Sequence, residues 1–308
     1  MQFSVTVLGS NSALPTSERN PTAQVLNVSE RFFLIDCGEG TQMQMRKNHI
    51  RFTRINHVFI SHLHGDHCFG LMGFISTLGL LGRTNDLHIY GHVDLEMVYR
   101  PQLNYFSKDL KFNVKFHIVN TEVSETVYED NKIIVSSIPL KHRVPTCGYL
   151  FKEKNPELHI NKSSVDYYNI PIKSIPLIKK GSDYIGEDGS LVPNHLLTKP
   201  ARAARSYAFC SDTKYSEEII PLIKDVDLLY HEATFLSDNE NLAEKTHHST
   251  ARQAAQIAAK AKVKLLIIGH FSTRYKDMTL FEKEAREVFP ATYLAREGAT
   301  FDIPYLKD

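Results

Sequence analysis

The sequence is poor in three things, and each shortage removes a class of function. No segment reaches the ~18 to 20 consecutive apolar residues that a membrane-spanning helix needs. Cysteine is scarce: Cys37, Cys68, Cys147 and Cys210 are widely spaced and form no C-x-x-C pair, so they read as reduced thiols of a cytoplasmic protein and not as a disulfide framework. Excess charge is absent too. A formal net charge of +1 gives no global footprint of a nucleic-acid binder, so any such surface must be local. The N-terminus, Met1 to Gly9, lacks a basic region followed by an apolar one and reads as a first strand running into a glycine turn. What remains, 308 residues with 42% apolar and 23% charged side chains, is an ordinary globular chain able to bury a substantial core.

Against that plain background stands His62-Leu63-His64-Gly65-Asp66-His67, three imidazoles and a carboxylate in six residues. Imidazole and carboxylate suit zinc and its divalent neighbours. The run follows an apolar, strand-like stretch, His57 to Ser61, so it reads as a loop in which side chains two apart can converge instead of alternating faces.

Short β-branched or aromatic runs predict strands at Phe3 to Leu8, Arg31 to Ile35, Val58 to Ile60, Leu87 to Tyr90, Ile133 to Ile138, Tyr207 to Cys210, Leu228 to Tyr230 and Leu265 to Ile268. Four of these end within two residues of His62, Asp212, His231 or His270, and a fifth leads to His142, which is the pattern of a site built on loops at one rim of a sheet. Thr250 to Lys262 predicts a helix opened by a capping box of Thr250 and Gln253, and Leu280 to Val288 a second one closed by Pro290. Residues 152–200 carry five prolines and three glycines with nearly cancelling charges, and read as an insertion into a single domain spanning 1–308.

A lone histidine or aspartate at a strand end is usually structural. In the order H-x-H-x-D-H, His142, Asp212, His270, however, the set resembles the ligands of the metallo-β-lactamase superfamily. That resemblance implies a four-layer αββα sandwich with a dinuclear site at one edge. It also implies a division in which His62, His64 and His142 hold one ion, Asp66, His67 and His270 the other, and Asp212 bridges them. Two cations about 3.5 to 4 Å apart suit phosphodiester hydrolysis, because they activate water and neutralise charge at phosphorus.

Further motifs narrow the likeness. Asp36-Cys37-Gly38-Glu39-Gly40-Thr41-Gln42, the metal loop continued through Gly70-Leu71-Met72-Gly73, His231-Glu232-Ala233-Thr234, His248-Ser249-Thr250 and His270-Phe271-Ser272-Thr273-Arg274-Tyr275 resemble short-form tRNase Z, from Phe3 to Phe301 in order. The resemblance implies a zinc-dependent endoribonuclease, with manganese as the other candidate metal, that removes the 3′ trailer of precursor tRNA after the discriminator nucleotide. A 3′-hydroxyl would be left on the tRNA and a 5′-phosphate on the trailer. Asp66 would orient the nucleophile, and His248 held by Glu232 would supply the leaving-group proton. Arg274, Arg19 and Asn20 would contact substrate, residues 152–200 would grip the tRNA body as a flexible arm, and the protein would be a homodimer. The alternative within the fold is a small-molecule phosphodiesterase. Two departures from the family pattern stand out: Ser17 replaces a lysine in Pro15-Thr16-Ser17-Glu18-Arg19-Asn20, and Pro171-Ile172-Lys173-Ser174 replaces a glycine-proline turn.

Overall fold

Residues 2–305 are described by the structure, a computed structural model. Strands β1 (Phe3–Gly9), β2 (Ala23–Val28), β3 (Arg31–Ile35), β4 (Ile55–Phe59), β5 (Leu87–Gly91) and β6 (Val114–Ile118) build most of a first sheet. Side chains alternate between its faces, as a period of two requires. Phe3, Val5, Val7, Phe33 and Phe59 point to one core, and Leu8, Val25, Leu34, Ile55 and Val58 to another. Helices α1 (Thr41–Lys47), α2 (Gly65–Cys68), α3 (Leu71–Leu80) and α4 (Asp94–Phe106) interleave with these strands, and α3 and α4 pack on the second core. The simple strand-and-turn signals do not announce α3 or α4: α3 is apolar on nearly all sides and carries Gly73 and Gly79, and α4 contains Pro101.

The chain then enters a second sheet through β7 (Thr126–Glu129), β8 (Ile133–Pro139) and β9 (Cys147–Glu153). A separately packed unit follows, Glu153–Ala204. It holds β10 (His159–Ile160), α5 (Lys162–Tyr167), α6 (Ile175–Lys179), β11 (Tyr184–Ile185), β12 (Leu191–Val192), α7 (Asn194–Leu197) and β13 (Thr198–Lys199). Ile170, Ile178, Val192 and Leu197 form its own small core. Asn194 ties the unit together, donating from Nδ2 to the carbonyls of Ile178 at 2.7 Å and Ser182 at 2.8 Å.

Returning to the main unit, β14 (Ser206–Cys210), β15 (Leu228–Glu232), β16 (Leu265–Gly269) and β17 (Thr292–Leu294) run parallel and complete the second sheet, while β18 (Thr300–Asp302) closes the first against β1. Helices α8 (Glu240–Thr246), α9 (Ala251–Ala261) and α10 (Thr279–Arg286) belong to this half, and α9 and α10 cover its outer face with Ala254, Ala255, Ala258 and Phe281. The capping box forms: the Gln253 amide donates to Thr250 Oγ1 at 3.2 Å, and the Thr250 amide to Gln253 Oε1 at 3.0 Å. Between the sheets lies the first of these cores, rich in aromatics, including Phe59, Tyr149, Phe151, Tyr207, Phe209 and Tyr230. Helix, sheet, sheet, helix is the αββα order. All eight strands expected from short apolar runs are present, as are both expected helices, with ends shifted by at most three residues. All four cysteines are buried and unbridged.

Because β3 to β6 run parallel in one sheet and β14 to β17 in the other, the segments leaving β4, β14, β15 and β16 open at one rim. The catalytic candidates stand there.

Candidate metal centre and catalytic cleft

Strand β4 ends at Phe59, and two residues later the chain turns so that His62 and His64 precede the short helix α2, with Asp66 and His67 in its first turn. His142 arrives just beyond β8, Asp212 two residues beyond β14, and His270 immediately after β16. His270 adopts a left-handed φ of +62°, rare for a side chain of this size and a form of strain concentrated at functional sites.

These seven side chains converge in two groups. Nδ1 of His64 lies 3.0 Å from Nε2 of His62 and 3.2 Å from Nε2 of His142, and Oδ2 of Asp212 is 3.5 Å from His62 Nε2 and 3.7 Å from His142 Nε2. In the second group, His67 Nε2, His270 Nε2 and Asp66 Oδ2 lie 3.3 to 3.4 Å from one another. The other oxygen of Asp212, Oδ1, is 3.3 Å from His67 Nε2 and 3.2 Å from His270 Nε2. Asp212 therefore faces both groups, one oxygen to each.

The ring nitrogens that face away are engaged, which fixes how the rings point. His67 Nδ1 donates to Asp36 Oδ2 at 2.7 Å, His142 Nδ1 to the His247 carbonyl at 2.8 Å, and His270 Nδ1 to Thr234 Oγ1 at 2.9 Å, while His62 Nδ1 is 3.0 Å from Ser61 Oγ. Partners of this kind orient metal-binding histidines. Asp36 is itself buried, held at φ +54°, and accepts from the Ser61 amide at 2.7 Å.

Electrostatics test whether cations fit. Burial pushes His62 and His142 down to about 4, so both are neutral and carry the lone pair a metal needs. Burial also opposes charge on Asp66 and Asp212, but the surrounding imidazoles outweigh it and hold both carboxyls below their ordinary range. His67 is driven the other way: burial disfavours its charge, yet Asp212, Asp66 and Asp36 raise it well above normal. The protein alone thus balances buried negative charge with protons on imidazole. Asp212 Oδ1 is buried without a hydrogen-bond donor among the described residues. An orphaned carboxylate oxygen, neutral imidazoles and buried carboxylates otherwise offset only by protons on imidazole are the complement of divalent cations.

Beside the two groups, His248 Nδ1 donates to Glu232 Oε1 at 2.8 Å. Glu232 is fully buried at the end of β15, and it also accepts from the Thr213 amide at 3.1 Å, the Thr234 amide at 2.9 Å and Thr234 Oγ1 at 2.8 Å. Burial, the largest single influence, would discharge His248, but the charge and hydrogen bond of Glu232, helped by Asp212, together outweigh it and raise it to about 9. The ring stacks on His270 at 5.4 Å. His248 and one edge of both groups border a cavity of about 620 Å³ lined by His64, Asp66, Asp212, His248 and His270, with Leu14, Phe69 and Arg143 among its walls.

Other expected residues lie elsewhere. His231 is buried in β15 with Nδ1 on the Glu232 carbonyl at 2.7 Å, apart from both groups. Arg19 turns its guanidinium to Met278 Sδ at 2.7 Å and the Tyr275 carbonyl at 3.4 Å, and Asn20 donates from Nδ2 to Glu297 Oε2 at 2.7 Å. Both brace the loop they sit on and are absent from the cavity wall. Arg274 is exposed beyond Ser272. Sequence reasoning missed the Ala13 amide, which donates to Asp66 Oδ2 at 2.7 Å from a left-handed residue, and the joining role of Thr234. Nothing in a linear pattern marks the first; the second sits in plain view two residues after Glu232.

Comparison with known proteins gives a consistent picture. A family profile described as "Anti-Pycsar protein Apyc1" matches residues 3–143, less than half of the chain. Over 302 residues the chain is 51% identical to a protein of Bacteroides thetaiotaomicron named Ribonuclease Z, covering 98% of this chain and 96% of that one. A Ribonuclease Z of Parabacteroides distasonis is 50% identical over 301 residues, covering 98% and 99%. Among solved structures, the short form of human tRNase Z superposes with a TM-score of 0.71 at 26% identity, covering 98% of this chain and 99% of that chain. YhfI of Bacillus subtilis, a metallo-β-lactamase fold protein, matches in fold with a TM-score of 0.70 at 19% identity, covering 98% and 100%.

Proposed function

This chain belongs to the ribonuclease Z family, and we propose that it is the endoribonuclease that removes the 3′ trailer from precursor tRNA. It is a hydrolase of tRNA phosphodiesters, cutting after the discriminator nucleotide to leave a 3′-hydroxyl on the tRNA and a 5′-phosphate on the trailer. The observation that carries the reading is the convergence of seven candidate ligand side chains next to a half-buried, carboxylate-held histidine at one cleft. A small-molecule phosphodiesterase of the same fold is not favoured, because the relatives that match at about half identity over nearly full length all bear the nuclease's name.

His62, His64 and His142 would hold one cation, Asp66, His67 and His270 a second, with Asp212 shared. When bound, two such ions lower the pKa of water and neutralise charge developing on the phosphate. Zinc suits this histidine and carboxylate set, and manganese is accepted by the same ligands. The chain's own groups do the rest. Asp66, gripped by the Ala13 amide, is fixed where it can orient an attacking water. His248, charged through Glu232, stands ready to protonate the departing 3′-oxygen, and the hydrogen bonds that keep Glu232 ionised keep that proton on the imidazole until it is needed. Arg143, on the cavity wall, offers a planar fork for phosphate oxygens, and exposed Arg274 would meet the substrate outside the cavity.

The unit Glu153–Ala204 would grip the tRNA body, using Lys162, Lys173, Lys179 and Lys180 as phosphate contacts. The working form would be a cytoplasmic homodimer. Among the described residues no helix is long and apolar enough to cross a membrane. The experiment is a pair of variants on a 3′-extended precursor. His248→Ala should slow cleavage by roughly 10²- to 10⁴-fold, the usual worth of a general acid, with metal content unchanged. His64→Ala should abolish cleavage and lose metal. Full activity in either variant removes the mechanism.

A further inference from the structure

Phe69 is 72% exposed, yet it is not a loose surface residue. It follows helix α2 directly, its amide donates to the Gly65 carbonyl at 2.9 Å, and its neighbour Cys68 is buried with its carbonyl accepting from Tyr99 Oη at 2.6 Å. The ring lies so close to Gly65 that a Cβ added there would run into it. One side of the ring is therefore packed against the backbone of the metal loop, and the residue forms part of the wall of the cavity that His64, Asp66 and His248 share. Leu14, 62% exposed, lines the same cavity.

A single exposed apolar side chain on a surface means little. A phenyl ring pinned by its backbone, in van der Waals contact with the metal loop and bordering the reacting centre, is different. Of the two phenyl rings that line this cavity, Phe235 is only 6% exposed, and Phe69 is the one that offers a flat apolar face to a base. Stacking on an aromatic ring is tolerant of sequence, because every base has a π face, and an enzyme that must cut many precursors needs that kind of grip.

We propose that Phe69 is a stacking platform for the nucleobase that flanks the scissile phosphate. The proposal rests on the nuclease reading above and adds to it how the cleft holds a base next to the bond that breaks. Substitution is safe for the fold, since the side chain contributes mostly solvent-facing surface.

The test compares the wild type, Phe69→Ala and Phe69→Tyr on three precursor tRNAs: intact, abasic at the discriminator position, and abasic at the first trailer position. On the intact precursor, Phe69→Ala should lower kcat/KM about tenfold, equivalent to about 1.4 kcal/mol, and Phe69→Tyr should restore it. On one of the two abasic precursors the wild type should fall by a similar factor, and the difference between it and Phe69→Ala should vanish. A merely structural role would leave that difference intact on every substrate. The platform is overturned if Phe69→Ala cuts the intact precursor as fast as the wild type, or if its deficit persists undiminished on both abasic precursors. A wild type that leaves the intact precursor uncut overturns the nuclease reading itself, and the platform with it.

Discussion

Histidines gather twice in this molecule, once in the segments at the rim and once across strands β4, β5 and β6, where His57, His88 and His117 form a ladder. In the ladder, His57 pairs in register with His88, the rings stack at 5.1 Å, and His88 Nδ1 meets His117 Nε2 at 2.8 Å. Tyr90 stacks on His117 at 4.5 Å, and Tyr128 of the facing sheet packs on His57 at 4.4 Å. Burial lowers all three histidines, His57 to about 4; neighbouring imidazoles add to the effect on His57, and Lys115 to that on His88 and His117, while Asp130 opposes it at His57 and Asp86 at His88. At the rim, two carboxylates stand among the imidazoles and the outer ring nitrogens are engaged. Among the described residues, the clusters able to surround one ion all lie at the rim. Histidine count does not make a metal site. Interleaved carboxylates and outer partners that aim the free nitrogens inward do.

The largest expected effect sharpens that contrast. Asp212→Ala should drop bound metal below one ion per chain and cost more activity than the roughly 10- to 100-fold that loss of an outer partner brings, whereas His88→Ala should leave metal content as in the wild type. Elemental analysis of both variants decides it, and two ions retained by Asp212→Ala would break the comparison. Next in size is Asp36→Asn. Asparagine tolerates the left-handed backbone, so the change removes charge behind His67 with little strain, and metal affinity in a chelator competition should fall by about 10- to 100-fold.

The smallest effect belongs to the ladder and concerns stability. His57 is held at about 4 in the fold against an ordinary 6.5. As pH falls below about 6.5 the unfolded chain takes up a proton that the folded chain refuses, so stability is lost between about pH 6.5 and 4. His57→Leu should flatten that loss by on the order of 2 kcal/mol in denaturant melts, after allowing for partial exposure of the ring. Equal slopes for wild type and variant would mean that the ladder titrates normally.

How much of this was readable beforehand divides along the same line. The run from His62 to His67 is a local pattern, and strand-end positions mark His142, Asp212 and His270, so the candidate ligand set is visible as a list of residues. Its partition into two groups was not a matter of spacing, because it depends on which oxygen of Asp212 faces which imidazoles. The ladder was invisible, since His57, His88 and His117 share no spacing and meet only through the parallel register of β4, β5 and β6. Arg19 and Asn20 are expected as substrate contacts from the family's loop pattern alone. Their internal partners, Tyr275, Met278 and Glu297, are more than 250 residues away, and only the folded chain shows that both side chains also brace this loop. Helices α3 and α4 escaped for a simpler reason: glycines and a proline inside them contradict the local signals, and packing on the outer face of the first sheet overrides those signals.

The measurement that bears most directly on the central claim is to incubate the purified protein with a 3′-extended precursor tRNA, with and without chelator, and to map both product ends at nucleotide resolution. The account predicts a single metal-dependent cut after the discriminator, with a 3′-hydroxyl on the tRNA and a 5′-phosphate on the trailer. An uncut precursor alongside turnover of a simple phosphodiester would contradict it.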